Sequence, residues 1–86
     1  MLHKIKVDEL YFQAVREGRK TFEIRYNDRG YNAGDKIEFM VMDGSYNISY
    51  NYTEEQLLYD ITYVLNGFGL DKDWVVFSIS LCKSTE

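Results

Sequence analysis

One cysteine, one histidine and no proline stand among the 86 residues, and each scarcity closes off a class of protein. Because Cys82 is alone, no intrachain disulfide can form, and the expected compartment is the reducing cytoplasm. Because His3 is alone, one chain cannot assemble a zinc cluster. A histidine-assisted nucleophile would need His3 to meet a serine or Cys82 in space. No metal and no cofactor are therefore expected, a carboxylate-bound magnesium ion being the one metal site the composition leaves open. No apolar run approaches a membrane span, and the opening His3-Lys-Ile-Lys-Val7 has neither the apolar stretch nor the small-residue site of a secretory signal. A soluble, cytoplasmic protein without membrane association is expected. There is also no linker, low-complexity tract or internal repeat, so residues 1–86 should form a single domain around one core.

What is present is aromatic and unevenly charged. Eight tyrosines and five phenylalanines supply enough buriable area for the chain to fold alone. The formal net charge of −4 argues against indiscriminate polyanion binding, which depends on basic residues displacing counterions. Yet Arg16–Arg29 holds five basic residues against three acidic, while the rest of the chain holds five against eleven. A small basic island on an acidic body suits a compact anionic ligand or a short stretch of nucleic acid better than long duplex.

Periodicity gives the order of elements. His3–Val7 alternates as a half-buried strand, and Asp8 is a helix N-cap with Val7 and Phe12 placed for a hydrophobic staple. Tyr11, Ala14 and Val15 follow at helical spacing until Gly18 stops the helix, which should span about Asp8–Glu17. In Gly18-Arg-Lys-Thr-Phe-Glu-Ile-Arg25, strand alternation puts Phe22 and Ile24 on one face, expected to join the core. Thr21, Glu23 and Arg25 fall on the other. Turns are expected at Tyr26–Gly30 and Gly34-Asp35, then a strand over Lys36–Met42 with Ile37, Phe39 and Val41 inward. Asp43-Gly44 signals a hairpin into a tyrosine-rich edge strand, Tyr46–Tyr52. Thr53-Glu-Glu-Gln56 allows one helical turn before a strand through Tyr59, Ile61 and Tyr63. Asn66–Leu70 is a glycine-punctuated loop, and Trp74–Leu81 is a strand apolar enough to be central. The fold class is α+β, mainly β. One helix with a mostly antiparallel sheet predicts a small curled barrel capped by the N-terminal helix, because closure removes exposed edges.

Glu23 and Arg25 lie two residues apart on one strand face and can orient each other, with Lys20 nearby as a mobile cation. A guanidinium held this way can bind a phosphate or base edge bidentately, and Glu23 can accept from an exocyclic amine. The competing interpretation is a surface ion-pair ladder that contributes little. Tyr26, Tyr31, Tyr46, Tyr50, Tyr52 and Trp74 could stack bases, although most aromatics in so small a domain pack in the core or on the sheet. Gly67-Phe-Gly69 is too short for a phosphate loop and lacks its lysine.

Taken together, His3-Lys-Ile-Lys, the Asp8–Gly18 helix, the Gly18–Arg25 motif, Asn27-Asp-Arg29, Gly34-Asp35 and Thr62–Leu70 resemble a small ASCH domain of the PUA-like superfamily. The similarity is to the uncharacterised branch of short bacterial and phage proteins. It covers nearly the whole chain, and its core pattern is Gly-x-Lys-x-x-Glu-x-Arg after a helix and before Gly-Asp. The resemblance implies a barrel of five to six strands with a cleft between barrel and helix that binds RNA or a nucleotide-like ligand. On the matching positions it nominates Lys20, Glu23 and Arg25, with Asn27, Asp28 and Arg29 on a loop at the cleft edge. An enzymatic branch of that superfamily hydrolyses acetylated cytidine with a lysine and a threonine of this motif and a glutamate from a later helix. Lys20 matches the lysine, but Glu23 occupies the threonine position and Glu54 and Glu55 do not match the later glutamate. A catalytic variant would have Lys20 activate Thr21, with Glu23 beside them, and binding is preferred over catalysis. A third expectation is an interaction module without ligand chemistry, forming a homodimer through Tyr46–Tyr52.

Overall fold

The structure, a computed structural model, describes residues 1–83; the last three residues of the expected 1–86 domain lie outside the described residues. Seven elements follow in order: β1 (Leu2–Asp8), α1 (Glu9–Arg16), β2 (Phe22–Tyr26), β3 (Lys36–Met42), a single helical turn α2 (Glu54–Leu57), β4 (Leu58–Leu65) and β5 (Trp74–Leu81). The five strands form one curled sheet, a half-barrel, in the order β1-β3-β4-β5-β2. Pairing is antiparallel except between β1 and β3, which run parallel from Leu2 opposite Lys36 to Asp8 opposite Met42.

Each element can be traced to its residues. In β1, alternation buries His3, Ile5 and Val7 and leaves Lys4 and Lys6 outside. Asp8 caps α1, its carboxylate accepting from Leu10 N at 2.9 Å. At the other end Gly18 has φ +79°, Arg19 N donates to Ala14 O and Gly18 N to Val15 O, the paired bonds of a Schellman stop. Helix α1 buries Phe12 and Val15, while Tyr11, expected to join them, is 62% exposed. Phe12 is the hub beneath the helix, with ring centroids 5.4 Å from Phe39, 4.9 Å from Tyr52 and 6.4 Å from Tyr59. The predicted inward set of β3, Ile37, Phe39 and Val41, is fully buried. Thr53 and Gln56 form a reciprocal capping box around α2, so the ambiguous acidic patch does make one helical turn before the strand. In β4 a register shift after Ile61 turns Tyr63 outward, away from the face it was expected to share with Tyr59 and Ile61.

Two further expectations fail, for identifiable reasons. Phe22 and Ile24 do not join the core: they are 45% and 49% exposed, and Glu23 is the buried residue of the motif at 3%. Cross-strand register decides this, because Glu23 pairs with Phe77 and Arg25 with Val75, both core residues of β5, and directly opposed residues share a face. Tyr46–Tyr52 is not a strand. Asp43 accepts Ser45 N and Asn47 N through its carboxylate, Tyr46 turns at φ +63°, and only one isolated bridge, Met42 to Ile48, follows. The segment then leaves the sheet so that Tyr52 can pack on Phe12 and donate to Glu9 at 3.1 Å. The edge strand on which a homodimer was expected to rest is therefore not formed.

Side chains bridge the open side of the half-barrel, where the edge strands do not pair. β1 and β2 are the two sheet edges, and across their seam Arg25 Nη2 donates to Lys6 O at 2.8 Å and Arg29 Nη1 to Lys4 O at 2.6 Å. At the start of β1 and β3 a second polar tie gathers around Asp35. Buried His3 Nε2 donates to Asp35 Oδ2 at 2.9 Å, and the Met1 amine and Asn32 N also reach the carboxylate. The His3 hydrogen bond is the largest influence holding the Asp35 carboxyl below the usual carboxylate range. Since the folded value is the lower one, this tie stabilises the fold above the ordinary carboxylate range and is lost as pH falls through it toward the folded value. Asp35→Asn should therefore be less stable than wild type at neutral pH, and the two should converge in strong acid; urea midpoints measured from pH 7 to pH 2 would show a constant gap if the tie were unimportant.

Candidate functional site

The motif emerges from the stop of α1 with its ionic groups already committed to one another. Lys20 Nζ donates to Phe22 O at 2.9 Å and pairs with Glu23 Oε2, the ammonium standing 5.3 Å from the centre of the Phe22 ring. Glu23 Oε1 accepts from Arg25 Nε at 3.2 Å and Nη2 at 3.0 Å. A buried carboxylate is thus clamped between an ammonium and a guanidinium, which are themselves 20% and 26% exposed. The ladder interpretation pictured an exposed ion pair; here the acid is inside and the two cations reach the surface. Their net charge is positive, and Arg25 Nη1 makes no hydrogen bond to the described residues.

Lys20, Glu23 and Arg25 converge on the wall of a cleft of about 550 Å³ at the β1–β2 seam. The opposite lip is Lys6, Val7 and Asp8 of β1, with Tyr11 of α1 above, and Ile24, Tyr26 and Trp74 complete it. Tyr26 and Trp74 are cross-strand partners whose rings meet edge to face at 5.9 Å and 78°. Half-exposed aromatic faces therefore adjoin the fixed cations, an arrangement that suits a flat ring bearing an anionic group.

The loop residues go elsewhere. Asn27 Oδ1 accepts Tyr31 N at 3.1 Å and so shapes its own turn. Asp28 and Arg29 line a separate depression on the far side of Arg25, and Arg29 is held on Lys4 O. None of the three lines the main cleft. Thr21 is exposed beside Gly18 and Ser80 in a third depression, and Lys20 Nζ makes its hydrogen bonds to Glu23 and Phe22, not to Thr21. Among the other aromatic candidates, Tyr31 is buried between His3 and Phe77, its hydroxyl pKa raised mainly by that burial. Tyr52 is a core contact of Phe12, Tyr50 is exposed and does not line the cleft, and exposed Tyr46 borders an adjoining depression that shares Lys6, Val7 and Asp8 with it. Among the described residues no group of three or more His, Cys, Asp or Glu side chains is placed to hold a metal ion. Among the described residues no helix is long and apolar enough to cross a membrane.

The family described as "Domain of unknown function (DUF3850)" matches residues 2–79. The chain belongs to the DUF3850 family. The match runs from the first residue of β1 into β5, so it takes in every residue that lines the cleft. No curated protein matches the chain.

Half of the ten residues lining the cleft of this DUF3850 domain, Lys6, Val7, Asp8, Tyr11 and Ile24, are not site candidates from the sequence. Lys6 carried the signal of an outward position on β1, but nothing in the sequence set β1 beside β2. Tyr11 was assigned inward because it follows the helical apolar spacing, although the staple residue Phe12 takes the buried position.

Proposed function

We propose that this domain binds RNA or a modified nucleotide in the seam cleft, with Arg25 and Lys20 receiving the anionic group and Tyr26 and Trp74 receiving the base. The observation that carries this reading is the convergence of Lys20, Glu23 and Arg25 on one concave wall next to exposed aromatic rings. Burial of Glu23 supports it: a carboxylate held inside fixes the direction of two cations, so less side-chain freedom is lost when a ligand arrives. The similarity of the Gly18–Arg25 motif to ASCH domains of the PUA-like superfamily points the same way. Hydrolysis of acylated nucleosides gains no support: Lys20 borders the Thr21 depression as well as the main cleft, but its ammonium is bonded to Glu23 and to Phe22 O rather than to Thr21.

Trp74 is the only tryptophan, so its fluorescence reports on the cleft directly. Titration with single-stranded oligonucleotides and with nucleoside monophosphates should quench it saturably. Arg25→Gln should weaken binding by about tenfold or more, the worth of one charge-assisted bond. Circular dichroism keeps loss of fold apart from loss of binding. Undiminished affinity in a folded Arg25→Gln protein would remove Arg25 from the site, and an unresponsive wild type at millimolar ligand would remove the reading.

A further inference from the structure

The seam between β1 and β2 carries more than one depression. Beyond Arg25 lies a second cleft of about 390 Å³, bordered by Ile5, Asp28, Arg29, Tyr31 and Met40, and it shares Lys6, Arg25 and Tyr26 with the first. The two separate depressions adjoin along the seam, with the Arg25 side chain standing between them where it crosses to Lys6 O, and together they make a stepped groove. Arg29 makes the next crossing, to Lys4 O. The anchoring carbonyls are two residues apart on one strand, so the guanidiniums attach about 7 Å apart along the groove.

From this repeat we infer that the ligand is an extended single strand of at least two nucleotides rather than a mononucleotide. The inference rests on the nucleotide-binding reading above and names its substrate class. Two arginines stepped along one strand match successive phosphates of an extended backbone, and each retains a terminal nitrogen, Arg25 Nη1 and Arg29 Nη2, without a hydrogen bond to the described residues. Lys6 stands where the halves join, and its ammonium has no ion-pair partner among the described residues. Asp28 is the opposing charge in the second half; it lies 3.8 Å from Arg29 Nε and is 59% exposed, and with Arg25 already set against Glu23 the two cations Lys6 and Arg29 outweigh it. A duplex does not fit, because a base seated at Tyr26 and Trp74 must leave its stack to reach them.

The test compares uridine monophosphate with tetrauridylate on the intact chain, reading Trp74 fluorescence at several salt concentrations. Tetrauridylate should bind at least tenfold more tightly, with a steeper salt dependence by about 0.7 logarithmic units per additional phosphate held. Arg29→Gln and, independently, Met40→Glu should each bring the ratio of the two affinities toward one; Met40 borders the second half alone. Equal affinity of wild type for the two probes would overturn the inference while leaving the functional reading intact. An unchanged ratio in both variants would overturn it as well. Failure of both probes to bind would overturn the functional reading and the inference with it.

Discussion

Glu23→Ala should lower stability by about 3–5 kcal/mol, the usual result of removing one partner from a buried ion pair, with the lower figure expected because Lys20 and Arg25 keep some access to water. The loss is large for so small a domain, since whole domains are stable by only about 5–15 kcal/mol and small ones sit at the bottom of that range. Alanine strands an ammonium and a guanidinium that both point at the vacated site, and it frees Arg25 from the geometry in which Nη2 reaches Lys6 O. The barrel seam and the cleft wall should therefore weaken together. Urea unfolding followed by Trp74 fluorescence gives the midpoint shift, and Glu23→Gln, which keeps an acceptor oxygen, should fall between alanine and wild type. A shift under about 1 kcal/mol would return the motif to the class of surface ladders.

Phe12→Ala should cost about 3–5 kcal/mol, the range for truncating a buried phenylalanine. Phe12 is fully buried and touches aromatic rings from β3, from β4 and from the segment that follows the Asp43 turn. Its removal opens a cavity under α1 and takes away the ring against which Tyr52 packs. The segment 46–52 has no ladder of its own beyond one bridge, so its amides should lose exchange protection before those of β3 and β4. Equal protection across all three would show that the segment is held by something other than Phe12.

How much of this was legible follows from where the information lies. β1, α1, β3 and β5 could be read because their periodicity, cap and glycine stop are local, and the structure bounds them within a residue or two of the expected places. The facing of β2 could not be read from β2 alone. Its apolar residues suggested a core face, yet pairing with Val75 and Phe77 turned Glu23 inward, and that register is a property of two strands. The tyrosine-rich segment misled for a related reason: β propensity was present, but the core contact and hydrogen bond offered to Tyr52 by Phe12 and Glu9 drew the chain away from the sheet. Within the candidate site, Lys20, Glu23 and Arg25 came from a contiguous motif, whereas Lys6 and Tyr11 depended on how the sheet curls.

The polar crossings at the seam also bear on how copies of this chain behave toward one another. An unpaired sheet edge offers its carbonyls as a template on which a neighbouring molecule can add a strand. Here Arg25 and Arg29 occupy the Lys6 and Lys4 carbonyls of one edge, while Lys20 and the Asp28 amide occupy the Phe22 and Tyr26 carbonyls of the other. The cations that line the groove thus also cover edge carbonyls, an arrangement expected to disfavour strand addition along the outer strand bearing Phe22, Ile24 and Tyr26.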